Sequence, residues 1–344
     1  MLFLSPKEIK TLYPLSAKGA SFVAQSRETI QNILSGKDPR IAIIAGPCSI
    51  HDMESALLYA SQLKKLSDSV KETCFLVMRV YIEKPRTVTG WKGFLYDPHL
   101  DESNAIDQGI SLSRKLLLAL AELEVPVATE FLNPIGASYI DDLISWGFIG
   151  ARTTSSQIHR ELASYLPIPI GFKNNTDGNV EQAINGVITA RMPHTFLHTN
   201  AEGKVGVAES EGNPHTHIVL RGGEKSGNYD RESISQAIDA LQSLAVSSRI
   251  LVDCAHGNCQ KNHGKQRDVF LSVLEQIQQG NSHLMGMMLE SYLYAGHQLL
   301  SENPSSLIPG VSITDPCVDW SETEELVSLA DELMSSRVIK LTHN

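Results

Sequence analysis

The stretch IAIIAGPCSIHD, residues 41–52, sets the pattern by which the rest of the chain can be interpreted. Residues 41–48 form a run that is apolar on both faces and ends in turn residues, as expected of a parallel strand covered by helices. Asp52 then stands where it would cap a helix, because apolar residues recur at helical spacing over positions 56–66. The stretch predicts a strand followed by a helix, the repeating unit of an α/β fold.

The same pattern recurs along the chain. Helical stretches at 114–125, 138–146 and 231–246 end at turn or stop residues between the apolar runs. With eight strands and helices between them, we predict an α/β fold of the (β/α)₈ TIM barrel type. The rival architecture, an open doubly wound sheet, is disfavoured. Such sheets carry a phosphate-binding Gly-x-Gly-x-x-Gly motif after the first strand, and this chain lacks it. The other seven predicted strands are 74–81, 126–131, 148–153, 168–174, 217–223, 250–256 and 284–291.

Two segments lie outside this alternation. Residues 1–40 are predicted to form an N-terminal arm and helix, and residues 195–211 an inserted β-hairpin before strand six. Since no internal repeat or interdomain linker divides the chain, we expect a single barrel domain over residues 1–344.

Composition narrows the classes of partner. The chain carries 29 Lys and Arg against 39 Asp and Glu, a formal charge of −10, which argues against a nucleic-acid or membrane surface. It has neither a signal peptide nor an apolar run long enough to span a membrane, so a cytoplasmic location is expected. Five scattered cysteines fit reduced thiols better than a disulfide framework.

Polar residues collect at the carboxyl ends of the predicted strands, where barrel enzymes hold their sites. Singly, each has an ordinary explanation as a solvated, ion-paired or buried side chain. Together, the cations would repel one another, with few acids near them, unless phosphate or carboxylate groups occupied the site. The residues are Cys48, Arg79, Glu130, Arg152, Lys173, Arg221, Asp253, His256 and Glu290.

Three of these residues suggest a metal site. Cys48, His256 and Glu290 end strands one, seven and eight, and barrel closure places strand eight beside strand one. Asp315, in the loop SITDPC, is a fourth candidate. A thiolate, an imidazole and two carboxylates suit one divalent ion of Mn²⁺, Fe²⁺, Co²⁺ or Zn²⁺ rather than Ca²⁺. The spacing matches no local zinc motif, so this prediction depends on the barrel.

Several long motifs resemble those of type I 3-deoxy-D-arabino-heptulosonate 7-phosphate (DAHP) synthases. The resemblance runs from about residue 5 to 335, and it implies the same four metal ligands. It also implies a divalent cofactor and a homodimer or homotetramer. The motifs are GPCSIHD (46–52), MRVYIEKPRT (78–87), ISWGFIGARTT (144–154), HRELAS (159–164), GFKNNTDG (171–178), LRGG (220–223) and SITDPC (312–317).

The resemblance assigns two substrates to the barrel mouth. Lys84, Arg86 and Thr87 belong to the erythrose 4-phosphate loop, Asp315 faces the substrates as well as the metal, and the remaining contacts bind phosphoenolpyruvate. C3 of phosphoenolpyruvate attacks the aldehyde, water adds at C2 and phosphate leaves, which is the first step of the shikimate pathway to aromatic amino acids. Lys84 is the first candidate for proton transfer, with His256 as the second. The implied phosphoenolpyruvate contacts are Arg79, Lys84, Glu130, Ala151, Arg152, Lys173 and Arg221.

The chain departs from the family pattern at a few positions. Ala255 and Cys259 replace two serines around His256, and Asn175 replaces a glycine. Related enzymes are often inhibited by Phe, Tyr or Trp near the HRELAS helix, which makes an aromatic amino acid a candidate effector. Tyr165 follows that motif, where packing in an interface is an equal explanation.

Two other functions remain to be weighed. A 3-deoxy-D-manno-octulosonate 8-phosphate synthase runs the same chemistry on arabinose 5-phosphate, but it carries an Ala-Asn-Arg type of loop where this chain has Lys84 to Thr87. A noncatalytic metabolite sensor on the same fold would require a broken ligand set, and all four ligands are present.

Overall fold

The fold is a closed barrel of eight parallel strands, as predicted. The structure is a computed structural model that describes residues 3–301 and 303–342. Around the barrel the strands follow the order β1-β10-β9-β8-β5-β4-β3-β2, so that the first and last strands pair. The barrel strands are β1 Ile41–Gly46, β2 Cys74–Arg79, β3 Val127–Glu130, β4 Trp146–Ile149, β5 Ile170–Lys173, β8 Thr216–Leu220, β9 Ile250–Asp253 and β10 Leu284–Glu290.

Helices connect the strands and cover the barrel. Asp52 caps the first crossover helix as predicted, because its carboxylate accepts from the amides of Glu54 (3.0 Å) and Ser55 (3.2 Å). No helix among the described residues is both long and apolar enough to cross a bilayer. The helices are α1 Pro6–Leu12, α2 Ala17–Ser35, α3 Met53–Ser69, α4 Ile106–Glu122, α5 Pro134–Ala137, α6 Gln157–Tyr165, α7 Glu181–Ala190, α8 Arg231–Ser243, α9 Gln266–Gln278 and α10 Trp320–Thr342.

The helix expected at 138–146 does not form. Only a single 3₁₀ turn, Asp141–Leu143, occurs there, and strand β4 already begins at Trp146. The Trp146 indole lies inside the barrel and donates to His217 Nε2 (2.9 Å), so packing in the barrel interior draws this segment into the sheet.

The inserted hairpin is confirmed and lies outside the barrel. Its strands β6 (His194–Thr199) and β7 (Val205–Ser210) pair antiparallel as a separate two-stranded sheet. The hairpin packs against α6, where the Ser210 and Ser164 hydroxyls form a hydrogen bond of 2.7 Å.

Two apolar layers hold the barrel. The interior layer contains side chains such as Trp146, Phe148 and Met288, whereas the outer layer joins the strands to the surrounding helices. Both faces of nearly every barrel strand are therefore buried, which explains why the strands read as continuous apolar runs. The barrel is therefore a rigid support for the loops that follow the carboxyl ends of its strands.

Candidate active site at the barrel mouth

A cavity of about 520 Å³ opens at the carboxyl ends of the strands. Cys48 and Glu290 are fully buried beneath the floor of this cavity. Cys48 contacts Lys84 and Glu290 contacts Arg79, and both cations line the cavity. The predicted site residues on its walls are Arg79, Lys84, Arg86, Thr87, Glu130, Ala151, Arg152, Lys173, Arg221, His256 and Asp315.

The strands end earlier than predicted, which moves several site residues into loops. Arg79 and Lys173, predicted one or two residues before the ends of their strands, are the last residues of β2 and β5. Cys48, Arg152 and His256, in contrast, lie two or three residues beyond β1, β4 and β9. The site therefore combines side chains on the rigid wall with side chains on the loops above it.

Three of the predicted metal ligands form a tight group. Cys48, Glu290 and Asp315 offer ligand atoms that all lie within 4.8 Å of one another. Cys48 and Glu290 meet because β1 and β10 close the barrel, with Gly46 in register with Glu290. His256 is not part of this tight group, but its Nε2 lies 3.6 Å from Glu290 Oε1.

The orientation of His256 suits a metal ligand. Its backbone adopts the left-handed region, with φ of 57°, which is unusual for a residue other than glycine. Nδ1 lies 3.0 Å from Asp253 Oδ2, within ion-pairing distance. With Asp253 facing one ring nitrogen, the other nitrogen is turned towards Glu290. Sulfur, imidazole nitrogen and carboxylate oxygens fit a divalent ion of the Mn, Fe, Co or Zn group.

The Lys84 ammonium partly offsets the burial and the negative charge around Cys48. Burial, with a contribution from Glu290, raises the pKa of the Cys48 thiol to about 11. Lys84 Nζ opposes this effect from 3.1 Å. Burial also disfavours ionised Asp315, but Lys84 and His256 outweigh it and hold the pKa of Asp315 below its ordinary value. A thiolate would need positive charge here, since metals bind the deprotonated form.

The expectation that few acids lie near the cations is wrong. Arg79 Nη2 pairs with Glu290 Oε1 at 3.0 Å, and Lys173 Nζ pairs with Asp253 Oδ2 at 2.6 Å. Burial disfavours the charge of Asp253, but His256 and Lys173 outweigh it and hold its pKa well below the ordinary value. The sequence placed both acids at strand ends but did not predict that they pair with these cations, so two of the four cations are neutralised in the barrel wall.

The other two cations remain available for an anion. Among the described residues, neither Arg152 nor Arg221 has a carboxylate within ion-pairing distance. Arg152 Nη2 donates to Thr87 Oγ1 at 3.1 Å, and Arg221 Nη1 donates to the Gly222 carbonyl at 3.3 Å. Burial lowers the pKa of Arg221, and the charge of Arg152 lowers it further, as expected for two cations that share one anion site.

Sequence reasoning gave no role to several residues of the site. The Arg79 guanidinium lies 3.5 Å from the centre of the buried Tyr81 ring, and Lys173 Nζ lies 5.7 Å from it. Asn174 fixes the end of β8 by accepting from the Arg221 amide at 2.8 Å. Lys261 adds another cation to the cavity wall. In the sequence, Tyr81 and Asn174 lie within two residues of the predicted site residues Arg79 and Lys173. Nothing else in the sequence indicated a role for them.

The chain is similar to known proteins over most of its length. The model of a family described as "DAHP synthetase I family" matches residues 18–328. A Trp-sensitive phospho-2-dehydro-3-deoxyheptonate aldolase from Salmonella typhi is 46% identical over 335 residues, 97% of this chain and 95% of the relative. A Tyr-sensitive enzyme of the same name from Escherichia coli (strain K12) is 44% identical over 326 residues, 95% and 91% of the two chains. A solved phospho-2-dehydro-3-deoxyheptonate aldolase from Francisella tularensis SCHU S4 superposes with a TM-score of 0.95 at 41% identity and covers 98% of each chain.

Proposed function

This chain belongs to the DAHP synthetase I family, and from that premise we propose that its barrel mouth joins phosphoenolpyruvate to erythrose 4-phosphate. The products are DAHP and inorganic phosphate, in the first step of the shikimate pathway. The observation that carries the proposal is the convergence of two features at one cavity. One is a Cys, Glu and Asp ligand group, and the other is a pair of guanidiniums without a carboxylate partner among the described residues.

Phosphoenolpyruvate carries a phosphate and a carboxylate, and the wall offers matching cations. We propose that Arg152 and Arg221 take its anionic groups, since neither is neutralised by an acid among the described residues. Arg79 and Lys173 stand deeper and are held in place by Glu290 and Asp253. Their role is to fix the floor and to add positive potential beneath the substrate. Glu130 and Ala151 complete the wall against which phosphoenolpyruvate rests.

The second substrate is proposed to bind at the loop of residues 84–87. Arg86 donates its Nε to the Trp91 carbonyl at 2.7 Å, which fixes the guanidinium and leaves its other N–H groups for a phosphate. Thr87 accepts from Arg152 at 3.1 Å, so the loop is tied to the phosphoenolpyruvate side of the cavity. Holding both anions in one orientation removes much of the entropic barrier to their reaction.

The metal would be held by Cys48, Glu290, Asp315 and His256 through Nε2, with Asp253 orienting the imidazole ring. A bound divalent ion supplies Lewis acidity towards the aldehyde oxygen.

Proton transfer is assigned to Lys84. Burial disfavours its charge, but Cys48, Glu290 and Asp315 outweigh burial and raise the pKa of Lys84, so it remains an ammonium group. As C3 of phosphoenolpyruvate forms its bond to the aldehyde carbon, the aldehyde oxygen takes a proton from Lys84. Water then adds at C2 and returns one proton to Lys84. As the C2–O bond to phosphate breaks, the C2 hydroxyl gives its remaining proton to the departing phosphate and becomes the C2 ketone. His256, beside the ligand group, is the second candidate for proton transfer.

Release of inorganic phosphate tests the proposed function. Purified protein with Mn²⁺ and phosphoenolpyruvate is assayed with erythrose 4-phosphate and, separately, with arabinose 5-phosphate. Release with erythrose 4-phosphate alone supports the proposal. Release with arabinose 5-phosphate alone would instead indicate a 3-deoxy-D-manno-octulosonate 8-phosphate synthase. No release with either sugar would indicate a noncatalytic sensor.

We further propose that an aromatic amino acid regulates the enzyme, because the two relatives are described as Trp-sensitive and Tyr-sensitive. Tyr165 at the end of α6 contacts the hairpin rings, with centroids 6.0 Å from Phe196 and 4.9 Å from His198. Assays with Phe, Tyr and Trp in turn identify the effector, and an unchanged rate with all three would reject this proposal.

Self-association is proposed to use the outer face of the hairpin. Leu197 pairs with Val207 across the two strands, and Val205 lies on the same face. These three side chains are 78%, 71% and 76% exposed, respectively. A small, two-stranded sheet with an open apolar face is typical of a surface that another chain covers. The whole chain is proposed to be one domain, with this hairpin as an addition to the barrel.

A further inference from the structure

The loop that carries Lys84, Arg86 and Thr87 leaves the barrel and returns to it through a narrow neck. The Lys84 amide donates to the Lys92 carbonyl at 2.9 Å, which closes residues 84–92 into one loop. Gly93 follows with φ of +110°, and a Cβ there would lie 2.7 Å from the Cα of Glu83. The packing at this neck therefore requires glycine.

Glu83 joins this neck to the end of strand β3. Its side chain is buried, and Oε2 accepts from the amides of Leu132 (3.3 Å) and Asn133 (3.1 Å). The other oxygen, Oε1, is buried and forms no well-aligned hydrogen bond with any described residue, although the Tyr96 hydroxyl is close enough to lower the pKa of Glu83. Gly136 lies close by, since a Cβ on that residue would come within 3.5 Å of Oε1. A buried carboxylate with one unsatisfied oxygen is costly and calls for an explanation.

We propose that Glu83 is a positioning residue whose ionised carboxylate fastens the 84–92 loop to the end of β3 and so orients the loop for the sugar phosphate. This inference rests on the proposed function, because that function assigns the loop to erythrose 4-phosphate. Glu83 itself does not line the cavity.

The groups around Glu83 place its titration near neutrality. Burial raises the pKa of Glu83 to about 7, although the amides of Asn133 and Leu132 oppose the shift. Glu130, at the end of β3, raises it further, and the Tyr96 hydroxyl, which accepts from Asn133 Nδ2 at 2.8 Å, lowers it.

Two further titratable groups stand on neighbouring segments. The Lys84 ammonium contacts Cys48 Sγ at 3.1 Å, and His159 of α6 contacts the Leu132 carbonyl through Nε2 at 2.8 Å. Above neutrality the carboxylate is charged and holds both amides. Below neutrality it is protonated and accepts more weakly, so the loop loosens as the pH falls.

Hydrogen exchange of the full-length protein tests the contact directly. Protection of the Leu132 and Asn133 amides, corrected for the intrinsic effect of pH, is expected to fall as the pH drops from 8 to 6, by about tenfold. In Glu83→Gln the protection should be lower and independent of pH over this range. Protection that stays constant in the wild-type protein would overturn the inference, whether or not the variant folds.

Kinetics provide the second test. Glu83→Gln should raise the KM for erythrose 4-phosphate about tenfold and change the KM for phosphoenolpyruvate by less than about threefold, because the other phosphoenolpyruvate contacts lie outside the loop. The variant should also lose any inflection near pH 7 in kcat/KM for the sugar phosphate. Glu28→Gln, an exposed residue of α2, is the matched control and should leave both constants unchanged.

The two proposals fail in different ways. Equal increases in both KM values, or an inflection that persists in Glu83→Gln, would contradict the role of Glu83 and leave the proposed function intact. Absence of wild-type phosphate release would contradict the function, whereas the exchange measurement would still report on the Glu83 contact.

Discussion

At the residue scale, the same side-chain type has different roles depending on its neighbours. Arg79 is fully buried and ion-paired with Glu290, whereas Arg152 is exposed and donates to a threonine. Only the second has its charge available for an incoming anion. The sequence grouped both as strand-end cations and could not separate them, because Glu290 lies more than 200 positions from Arg79 in the chain.

The loss of the Arg152 guanidinium should weaken phosphoenolpyruvate binding. Arg152→Ala is expected to raise the KM for phosphoenolpyruvate by roughly tenfold or more, because the binding free energy of a charge-assisted hydrogen bond corresponds to about this factor. Its exposure predicts an unchanged melting temperature. Steady-state kinetics of the variant provide the measurement, with the exposed Arg231→Ala as control. An unaltered KM would remove Arg152 from the substrate site.

The Cys48 thiol should be required for metal binding but not for folding. Cys48→Ala deletes one buried atom, with a cost of about 1 kcal/mol, because the surrounding apolar layer is unchanged. Metal content measured by mass spectrometry after dialysis should fall to near zero. Cys74→Ala, at a buried thiol that begins β2, should keep its metal. Retained metal in Cys48→Ala, or global unfolding, would contradict this assignment.

At the scale of elements, the sequence located all eight barrel strands but misplaced some of their ends. Apolar runs report burial, and burial continues past Gly46 into the loop that carries Cys48, so the run alone could not show where pairing stops. The segment 138–146 was misread because its apolar spacing suits a helix, whereas the fit of Trp146 inside the barrel makes its end a strand. The ligand group was predictable once barrel closure was assumed, but the pairing of Lys173 with Asp253 was not.

Strand β8 contains a buried histidine, His217, that should limit acid stability. Trp146 donates to His217 Nε2, and Nδ1 lies 3.1 Å from the Ile218 carbonyl, so the ring carries its proton on Nδ1. Burial lowers the pKa of His217 to about 4. Between about pH 6.5 and 4 the unfolded chain therefore takes up a proton that the folded barrel refuses, and stability should fall by about 2–3 kcal/mol over that window.

Urea unfolding as a function of pH checks this expectation. His217→Gln should reduce the slope of stability between pH 6.5 and 4, while His99→Gln, at an exposed histidine, should keep it. An identical slope in wild type and His217→Gln would show that other groups govern the acid response.

At the scale of the whole molecule, an acidic chain concentrates positive charge at one cavity. The formal charge is −10, yet the mouth gathers cations such as Arg152, Arg221 and Lys261. The excess of acids therefore lies elsewhere, and the mouth is where we propose that small phosphorylated anions bind. The sequence predicted this arrangement only once a parallel barrel was assumed, because a parallel barrel brings the carboxyl ends of all its strands to one side.

The hairpin face should control self-association. Val207→Lys introduces a charge into the exposed apolar face and should dissociate any oligomer, because desolvating the ammonium is costly. Light scattering coupled to gel filtration compares this variant with wild type and with Leu299→Lys, at an exposed leucine outside the hairpin. If Val207→Lys has the same molar mass as the wild-type protein, the hairpin face is not the subunit contact. In that case the contact lies elsewhere or the protein is a monomer.

The central claim is that four residues far apart in the sequence surround one divalent ion at the barrel mouth. Anomalous diffraction from crystals grown with Mn²⁺ tests it most directly. We expect one strong peak within about 2.5 Å of Cys48 Sγ, His256 Nε2 and carboxylate oxygens of Glu290 and Asp315. A peak elsewhere, or a peak at the mouth that His256 or Cys48 does not contact, would contradict it.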